Sequence, residues 1–357
     1  MNGPPRVSAP TDRADDDALA LVDEALLVEC IATVAPLADP VQITVLSGGR
    51  SNLTYRVRSG SADYVVRRRP IGRVAKGAHD MAREHRVLAA LQGSELPIPT
   101  VYGYWDDERV VGAPFYVMSY VPGAVLHRPS DVAALTESQA RAISEATVDV
   151  LDRLHRVDPV AVGLGELGRP DGFVARRIGR WLEQWRAGDY RDHPLVEPIG
   201  AALAARVPTD ADATLVHGDY RLGNLLVSVR DDPEVDSEIA AVLDWEMSTL
   251  GDPLTDLAHL LVYWDRTRGR LTHESQRIAE HAGFLSAAEL AERYATRTGR
   301  NLDDLDFYLA FEHWRAAIIK EGIFGRTPDD HELGDSVALH LEEAADLLHL
   351  DRPIQEP

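Results

Sequence analysis

The chain has 357 residues, 45% of them hydrophobic and 27% charged, with 58 Asp and Glu against 37 Lys and Arg and a single cysteine. That length fills two domains or lobes with a large core and room for a cleft, and it does not suit a one-motif binding module. A formal charge of -21 repels nucleic-acid phosphates, no Lys/Arg run is interleaved with aromatics, and no stretch reaches the ~18 apolar residues of a membrane span, so neither nucleic acid nor a membrane is an expected partner. Cys30 alone makes neither an internal disulfide nor a Cys-based zinc site, and Met1 to Asp17 carries Asp12, Asp15, Asp16 and Asp17 in place of a basic n-region. Together these predict a reduced, cytoplasmic protein.

The charge is unevenly spread. Residues 1–38 hold 2 basic and 7 acidic side chains, residues 39–123 hold 11 and 8, and residues 124–357 hold 24 and 43. The basic residues of the middle segment cluster at Arg67, Arg68, Arg69, Arg73 and Lys76, which reads either as a solvated strand end or as a place for an anion such as phosphate.

In chain order, residues 1–17 are Pro-rich and then acidic and read as a disordered tail. Residues 18–38 carry an amphipathic helix, with Leu21, Val22, Leu26, Ile31 and Val34 at helical spacing. Gln42 to Leu46, Thr54 to Arg58 and Tyr64 to Arg67 are rich in β-branched and aromatic residues between Gly-Gly and Ser-Gly-Ser turns, which predicts a small antiparallel sheet. Met81 to Leu91 has helical periodicity, and Phe115 to Tyr120 is a strand closed by Pro122-Gly123. Beyond Gly123 long helical patterns dominate, at Glu137 to Arg156, Asp171 to Arg186, Ser286 to Arg297 and Asp304 to Lys320. Trp181 and Trp185, four apart in that second pattern, read as core packing. Two short apolar strands, Thr214 to Val216 and Ala240 to Leu243, each lead into a run dense in Asp, Asn and Glu, the kind of junction that carries chemistry.

The densest such run is Val216-His217-Gly218-Asp219-Tyr220-Arg221-Leu222-Gly223-Asn224-Leu225-Leu226, followed by Val242-Leu243-Asp244-Trp245-Glu246. Taken singly, Asp219 and Asn224 read as Asx-turn residues and Asp244 as a turn cap. Together they supply what phosphoryl transfer from ATP requires: one Asp to orient the acceptor hydroxyl and take its proton, and an Asn with a second Asp to hold Mg²⁺ on the phosphates. The spacing H-x-D-x-x-x-x-N is that of a kinase catalytic loop with Gly218 in the middle position. By contrast, His273-Glu274 and His331-Glu332 lack the second His of H-E-x-x-H, and there is no G-x-S-x-G elbow.

On these residues the chain, over about 40–325, resembles the aminoglycoside phosphotransferase and choline kinase-like family. Arg67-Arg68-Arg69-Pro70, Ala78-His79-Asp80-Met81 and Arg83-Glu84 further resemble a subgroup of kinase-like domains joined to acyl-CoA dehydrogenases. The resemblance implies an α+β, bilobal protein-kinase-like fold, with a small antiparallel-sheet N-lobe at 39–122 that binds nucleotide and a mainly helical C-lobe at 123–357 that holds the catalytic loop, metal site and acceptor site. It implies Asp219 as catalytic base, Asn224 and Asp244 as magnesium ligands, His217 as a structural support and Glu246 as an accessory in the metal shell. Asp252 and Asp256, in Leu250-Gly251-Asp252-Pro253-Leu254-Thr255-Asp256-Leu257-Ala258, take structural roles.

Ser47-Gly48-Gly49-Arg50-Ser51-Asn52, between two predicted strands, suits phosphates because glycine leaves backbone N–H groups open to approach. Alone it reads rather as a Gly-Gly hairpin with no ligand; its position makes Gly48, Gly49, Ser51 and Asn52 the candidates for nucleotide contact. A kinase also needs a cation on the third strand paired with a helix Glu. Arg67 stands at the end of Tyr64-Val65-Val66, with Glu84 the helix residue, so Arg replaces the family's usual Lys. Lys76 and Lys320 are the only lysines in the chain, which makes the exchange part of a general bias toward Arg. Tyr120 and Val121 offer backbone groups to adenine. The expected activity is therefore ATP- and Mg²⁺-dependent transfer of the γ-phosphate to a hydroxyl of a small-molecule acceptor. No motif names that acceptor, although the subgroup likeness favours a hydroxylated acyl or other non-antibiotic metabolite. The rival expectations are a nucleotide-binding pseudokinase that regulates or scaffolds, and a carboxylate-metal hydrolase built on Asp219 and Asp244.

Overall fold

In the computed structural model, the described residues are 18–46, 52–70, 80–209, 213–229, 237–264 and 278–350. Alternating side chains over β1 (Val41–Val45), β2 (Leu53–Ser59) and β3 (Ala62–Arg68) pair with β5 (Phe115–Ser119) and β4 (Val101–Trp105) in one antiparallel sheet of order β1-β2-β3-β5-β4. One parity of this sheet (Tyr55, Val57, Tyr64, Val66, Phe115, Val117) packs with Leu27 and Ile31 of helix α1 (Glu24–Ala32) into a single apolar cluster. The Asp23 side chain caps α1 by accepting from the Leu26 N–H at 3.0 Å. The other parity carries Arg67, which lies opposite Tyr116 in the β3–β5 register, toward Glu84 of α2 (Met81–Ala90). A one-residue slip of β3 would exchange these faces and bury Arg67 in the apolar cluster.

Sequence periodicity misses β4, because every residue of that edge strand is only half-buried and a bulge between Val101 and Gly103 breaks the alternation. A four-residue helix α3 (Glu108–Val111) links β4 to β5.

The chain divides into two compact units. The first holds residues 1–94, 98–122 and 244–246, and the second holds 95–97, 123–243 and 247–357. The second unit opens with β6 (Ala124–Val125) and the short α4 (Pro129–Val132), then α5 (Glu137–His155), α6 (Phe173–Ala187) and α7 (Val196–Ala205). Strand β7 (Thr214–Val216) pairs with β10 (Thr249–Gly251), while β8 (Leu225–Ser228) lies between β6 and β9 (Glu238–Val242). Helices α8 (Leu254–Trp264), α9 (Ala287–Thr298), α10 (Leu305–Phe324) and α11 (His331–Leu347) complete it. Its core joins Phe311, Trp314 and Ile318 of α10 to Val337, Leu341 and Ala344 of α11, with Trp181 and Trp185 packed against that cluster.

The expected helix ends shift at several places. The predicted 171–186 helix begins at Phe173, because Gly172 at its N-cap is left-handed (φ 62), and α10 runs on past Lys320 to Phe324. Among the described residues no helix is long and apolar enough to cross a membrane.

Candidate active site

In the first unit the candidate residues converge on Arg67. Its Nε donates to Glu84 Oε2 at 3.0 Å, and its Nη2 forms an ion pair with Asp244 Oδ1. The Glu84 side chain is 1% exposed and that of Arg67 15%, so the pair is withdrawn from solvent screening. Glu84 lies in the first turn of α2, whose N-cap is Asp80, where the helix dipole favours a carboxylate. Burial opposes the charge on Arg67, but Glu84, Tyr116 and Asp244 outweigh it and hold the guanidinium protonated. Burial likewise pushes the Glu84 carboxyl up, against the pull of Arg67. Asp244 adopts φ 66, a left-handed conformation costing of order 1–3 kcal/mol for a residue with a side chain, of the kind that accumulates at functional sites. Asn52 is buried, with Nδ2 3.5 Å from Glu246 Oε2, and its Oδ1 is buried without a hydrogen-bond partner. Gly48, Gly49 and Ser51, like Lys76, lie outside the described residues.

Tyr120 and Val121 follow β5. The Tyr120 N–H donates to Asp63 O at 3.0 Å, and Arg56 sits over the Tyr120 ring at 3.6 Å. That N–H is therefore committed within the sheet.

The catalytic-loop candidates lie in the second unit. Buried β7 delivers His217 and Gly218, and Gly218 takes φ 84 in a place where a Cβ would stand 2.7 Å from Met247 O. Only glycine meets both demands. Both oxygens of Asp256, buried in the first turn of α8, accept from the loop backbone: the His217 N–H at 2.6 Å and the Gly218 N–H at 2.8 Å. His217 Nε2 donates to Leu243 O at 2.9 Å and its Nδ1 accepts from the Asp219 N–H at 3.2 Å, which fixes its tautomer. Tyr220 anchors the same loop to α5 by donating to Thr147 O at 2.7 Å. Asp252 accepts from the Leu254 N–H at 2.9 Å and from the Tyr308 hydroxyl.

Asp219 is thereby presented with its carboxylate in a ring of donors. Oδ2 accepts from Asn224 Nδ2 at 2.7 Å, and Oδ1 accepts from His259 Nε2 at 2.7 Å and from Arg221 Nε at 3.3 Å. Asn224 Nδ2 also donates to Asp219 O at 2.8 Å. With two acceptors before it the amide orientation is determined, leaving Oδ1 as the oxygen that can face a cation. Burial would raise the Asp219 carboxyl, but the hydrogen bond and charge of His259, then Arg221, hold it well below the usual carboxylate range. Sequence reasoning missed His259, Glu312 and Arg315, which stand behind Asp219. Their signal was polar residues inside otherwise apolar helices, Asp256 and His259 in LTDLAHLLVYW and Glu312 and Arg315 one turn apart in α10.

One open depression, about 520 Å³, is lined by Glu95, Asp152, Arg153, Arg156 and Arg297 and contains none of these residues. Arg156 pairs with Asp152, and Arg297 with Asp149 and Asp152, so it presents no strong single-sign field.

Residues 42–308 match the phosphotransferase enzyme family. The chain is 34% identical over 291 residues to mouse acyl-CoA dehydrogenase family member 10, covering 81% of this chain and 27% of that protein. It is 33% identical over 283 residues to human acyl-CoA dehydrogenase family member 11, covering 78% of this chain and 35% of that protein. The chain thus spans about a third of the length of these relatives. Among solved structures it resembles a putative aminoglycoside phosphotransferase from Ralstonia eutropha, with a TM-score of 0.77 and 31% identity over 92% of this chain and 98% of that one. It shares its fold with an aminoglycoside phosphotransferase solved with ADP and hygromycin B, at a TM-score of 0.59 and 18% identity over 92% of this chain and 98% of that one. The protein has the α+β, bilobal protein-kinase-like fold and belongs to the phosphotransferase enzyme family that includes the aminoglycoside phosphotransferases.

Proposed function

We propose that this phosphotransferase moves the γ-phosphate of ATP, with Mg²⁺, to a hydroxyl of a small molecule, with Asp219 as the catalytic base. The observation that carries this reading is the hydrogen-bonded presentation of the Asp219 carboxylate beside Asn224, on a loop built around the left-handed Gly218. A carboxylate held this far down is a weak base, so it orients the acceptor hydroxyl and receives the proton late, as the phosphoryl group leaves ATP. Asn224 Oδ1 and the Asp244 oxygen not engaged by Arg67 are hard donors suited to Mg²⁺. The metal, when bound, neutralises charge on the β- and γ-phosphates. Arg67 is the cation for the α- and β-phosphates, held in place by Glu84. The Val121 N–H and the Tyr120 carbonyl take adenine. Asn52 Oδ1 accepts only, so it suits a ribose hydroxyl or a metal-bound water and not a phosphate oxygen.

The test is acceptor-dependent ADP release with Mg·ATP over a panel of hydroxylated acyl compounds, choline and aminoglycosides, in the wild type and Asp219→Asn. We expect one class to raise turnover in the wild type and a loss of about 10²–10⁴-fold in the variant. Equal turnover in both removes Asp219 as the base. Arg67 already answers two carboxylates, which is the observation that favours the pseudokinase reading. Thermal stabilisation by ATP that is unaltered by Mg²⁺ or by Asp244→Ala, with no acceptor turned over, would select it.

A further inference from the structure

We infer that His259 is a positioning residue for Asp219, its Nε2–H fixing the carboxylate while Glu312 and Arg315 of α10 fix the imidazole ring. This rests on the reading of Asp219 as the base. Asp219 Oδ1 only accepts, so the 2.7 Å contact requires the proton on Nε2. At the far side of the ring, Nδ1 is 3.0 Å from Glu312 Oε2 and 2.6 Å from Arg315 Nη2, and Arg315 Nε donates to Glu312 Oε2 at 2.9 Å. Two arrangements satisfy these contacts: an imidazolium donating to both carboxylates, or a neutral ring that donates to Asp219 and accepts from Arg315. The Nε2–H bond to Asp219 is common to both. A second-sphere partner of this kind locks both ring orientation and proton position, as in other base–orienter pairs.

The three groups behind Asp219 are buried. His259, Glu312 and Arg315 are 3%, 3% and 5% exposed, so solvent does not compete for the bonds among them, while the Asp219 side chain at their end is 29% exposed. The charged and titratable groups around the ring are Asp219 and Arg221 on the loop, Glu312 and Arg315 on α10, and Tyr263 on its own helix, its ring centroid 4.7 Å from that of His259. Arg177 of α6 acts on Glu312. Burial works against a charge on His259, yet the bonds to Asp219 and Glu312 outweigh it and raise the imidazole above its ordinary value. The arrangement gives Asp219 a fixed direction. A rotation of its carboxylate moves the proton-accepting oxygen, and misplacements of about 1 Å cost about 10²-fold in rate.

Two measurements on the full chain test this. The first is histidine ¹⁵N NMR across pH in the wild type, Asp219→Asn and Glu312→Gln. We expect His259 to keep Nε2 protonated at every pH and to titrate above the ordinary ~6.5, with the midpoint falling by about one unit in each variant. A lone pair on Nε2, or a midpoint indifferent to both variants, overturns the inference. The second is steady-state hydrolysis of Mg·ATP with water as acceptor. His259→Leu should lower kcat about 10²-fold with the ATP KM nearly unchanged, and His259→Gln, which keeps an N–H donor, should recover part of it. If Asp219→Asn lowers turnover and His259→Leu does not, the positioning role falls and the reading of Asp219 stands. If neither lowers turnover while the NMR coupling is present, Asp219 is not the base and the hydrogen bond is structural only. Should His259→Leu not fold, Glu312→Gln, nearly isosteric, carries the kinetic arm with the same expected loss of kcat.

Discussion

The two candidate centres invert each other's charge pattern. In the first unit one cation, Arg67, answers two carboxylates, Glu84 and Asp244; in the second one carboxylate, Asp219, answers three donors, from Asn224, His259 and Arg221. The difference lies in what each central group has to spare. Arg67 is engaged by both carboxylates, so on the proposed reading phosphate oxygens would have to share it with Asp244. Asp219 is held by donors that keep it ionised and fixed in direction, the state that its proposed role as base requires. On the proposed reading, preorganisation would fall mainly on the acceptor side, and the nucleotide side would start from an ion pair that has to open.

Three variants attack the Arg67 half of that contrast, with the largest expected effects. Arg67→Ala should lower kcat most, Arg67→Lys should retain more activity because it keeps a charge on a shorter reach, and Glu84→Gln should lower kcat about 10²-fold while raising the ATP KM far less. Without Glu84 the guanidinium still attracts ATP but is no longer positioned. Steady-state kinetics at saturating acceptor measures all three. An unchanged kcat in Arg67→Ala would break the nucleotide-site assignment and, with it, the contrast.

The two halves were not equally legible from sequence. The H-x-D-x-x-x-x-N spacing announced Asp219 and Asn224 because loop residues that carry chemistry crowd together in the chain. Arg67 and Glu84, 17 positions apart, were legible only as a strand end and a helix face that kinases pair. His259, Glu312 and Arg315 were missed because a helix buried on all sides has no polar face for periodicity to find, as in α8, where nine of the eleven residues are buried. The same cause hid α8 itself, and half-burial with a bulge hid β4. The antiparallel sheet was legible because its strands are short runs rich in β-branched and aromatic residues between turn signals, even though β3 and β5 bury residues of both parities.

A smaller effect sharpens the Asp219 half. Glu312 is pulled by Arg315 and His259, against its burial, down to about 2. A depressed carboxyl contributes stability that is fully present above its unfolded value near 4.3 and is lost as pH falls toward 2. Acid melts of the wild type should therefore lose stability steeply between about pH 4.5 and 2. In Glu312→Gln that slope should be shallower, and stability at pH 7 lower by roughly 2–3 kcal/mol, because Arg315 loses its partner. Superimposable acid profiles would show that the donors behind Asp219 carry no net coupling.

The smallest expected effect tests the premise of both halves, that burial of a charge is tolerated only where counter-charges answer it. Lys320, one of two lysines in the chain, is 7% exposed on α10 and donates to the Ser336 hydroxyl at 3.3 Å. Burial lowers its ammonium to about 8, with Glu332 only partly restoring it. Because the folded value lies below the unfolded one near 10.4, the folded protein binds fewer protons between pH 8 and 10.4, and stability must rise with pH across that window. Below about pH 8 the penalty for the buried charge is present in full. Lys320→Met, similar in volume and uncharged, should then raise stability at pH 7 by roughly 1–3 kcal/mol, and the gain should shrink by pH 10. Denaturant melts of the two proteins at pH 7 and pH 10 decide it. A Lys320→Met protein no more stable than the wild type at pH 7 would mean that a hydroxyl suffices to carry a buried cation here. The two carboxylates around Arg67 would then be a matter of function and not of stability.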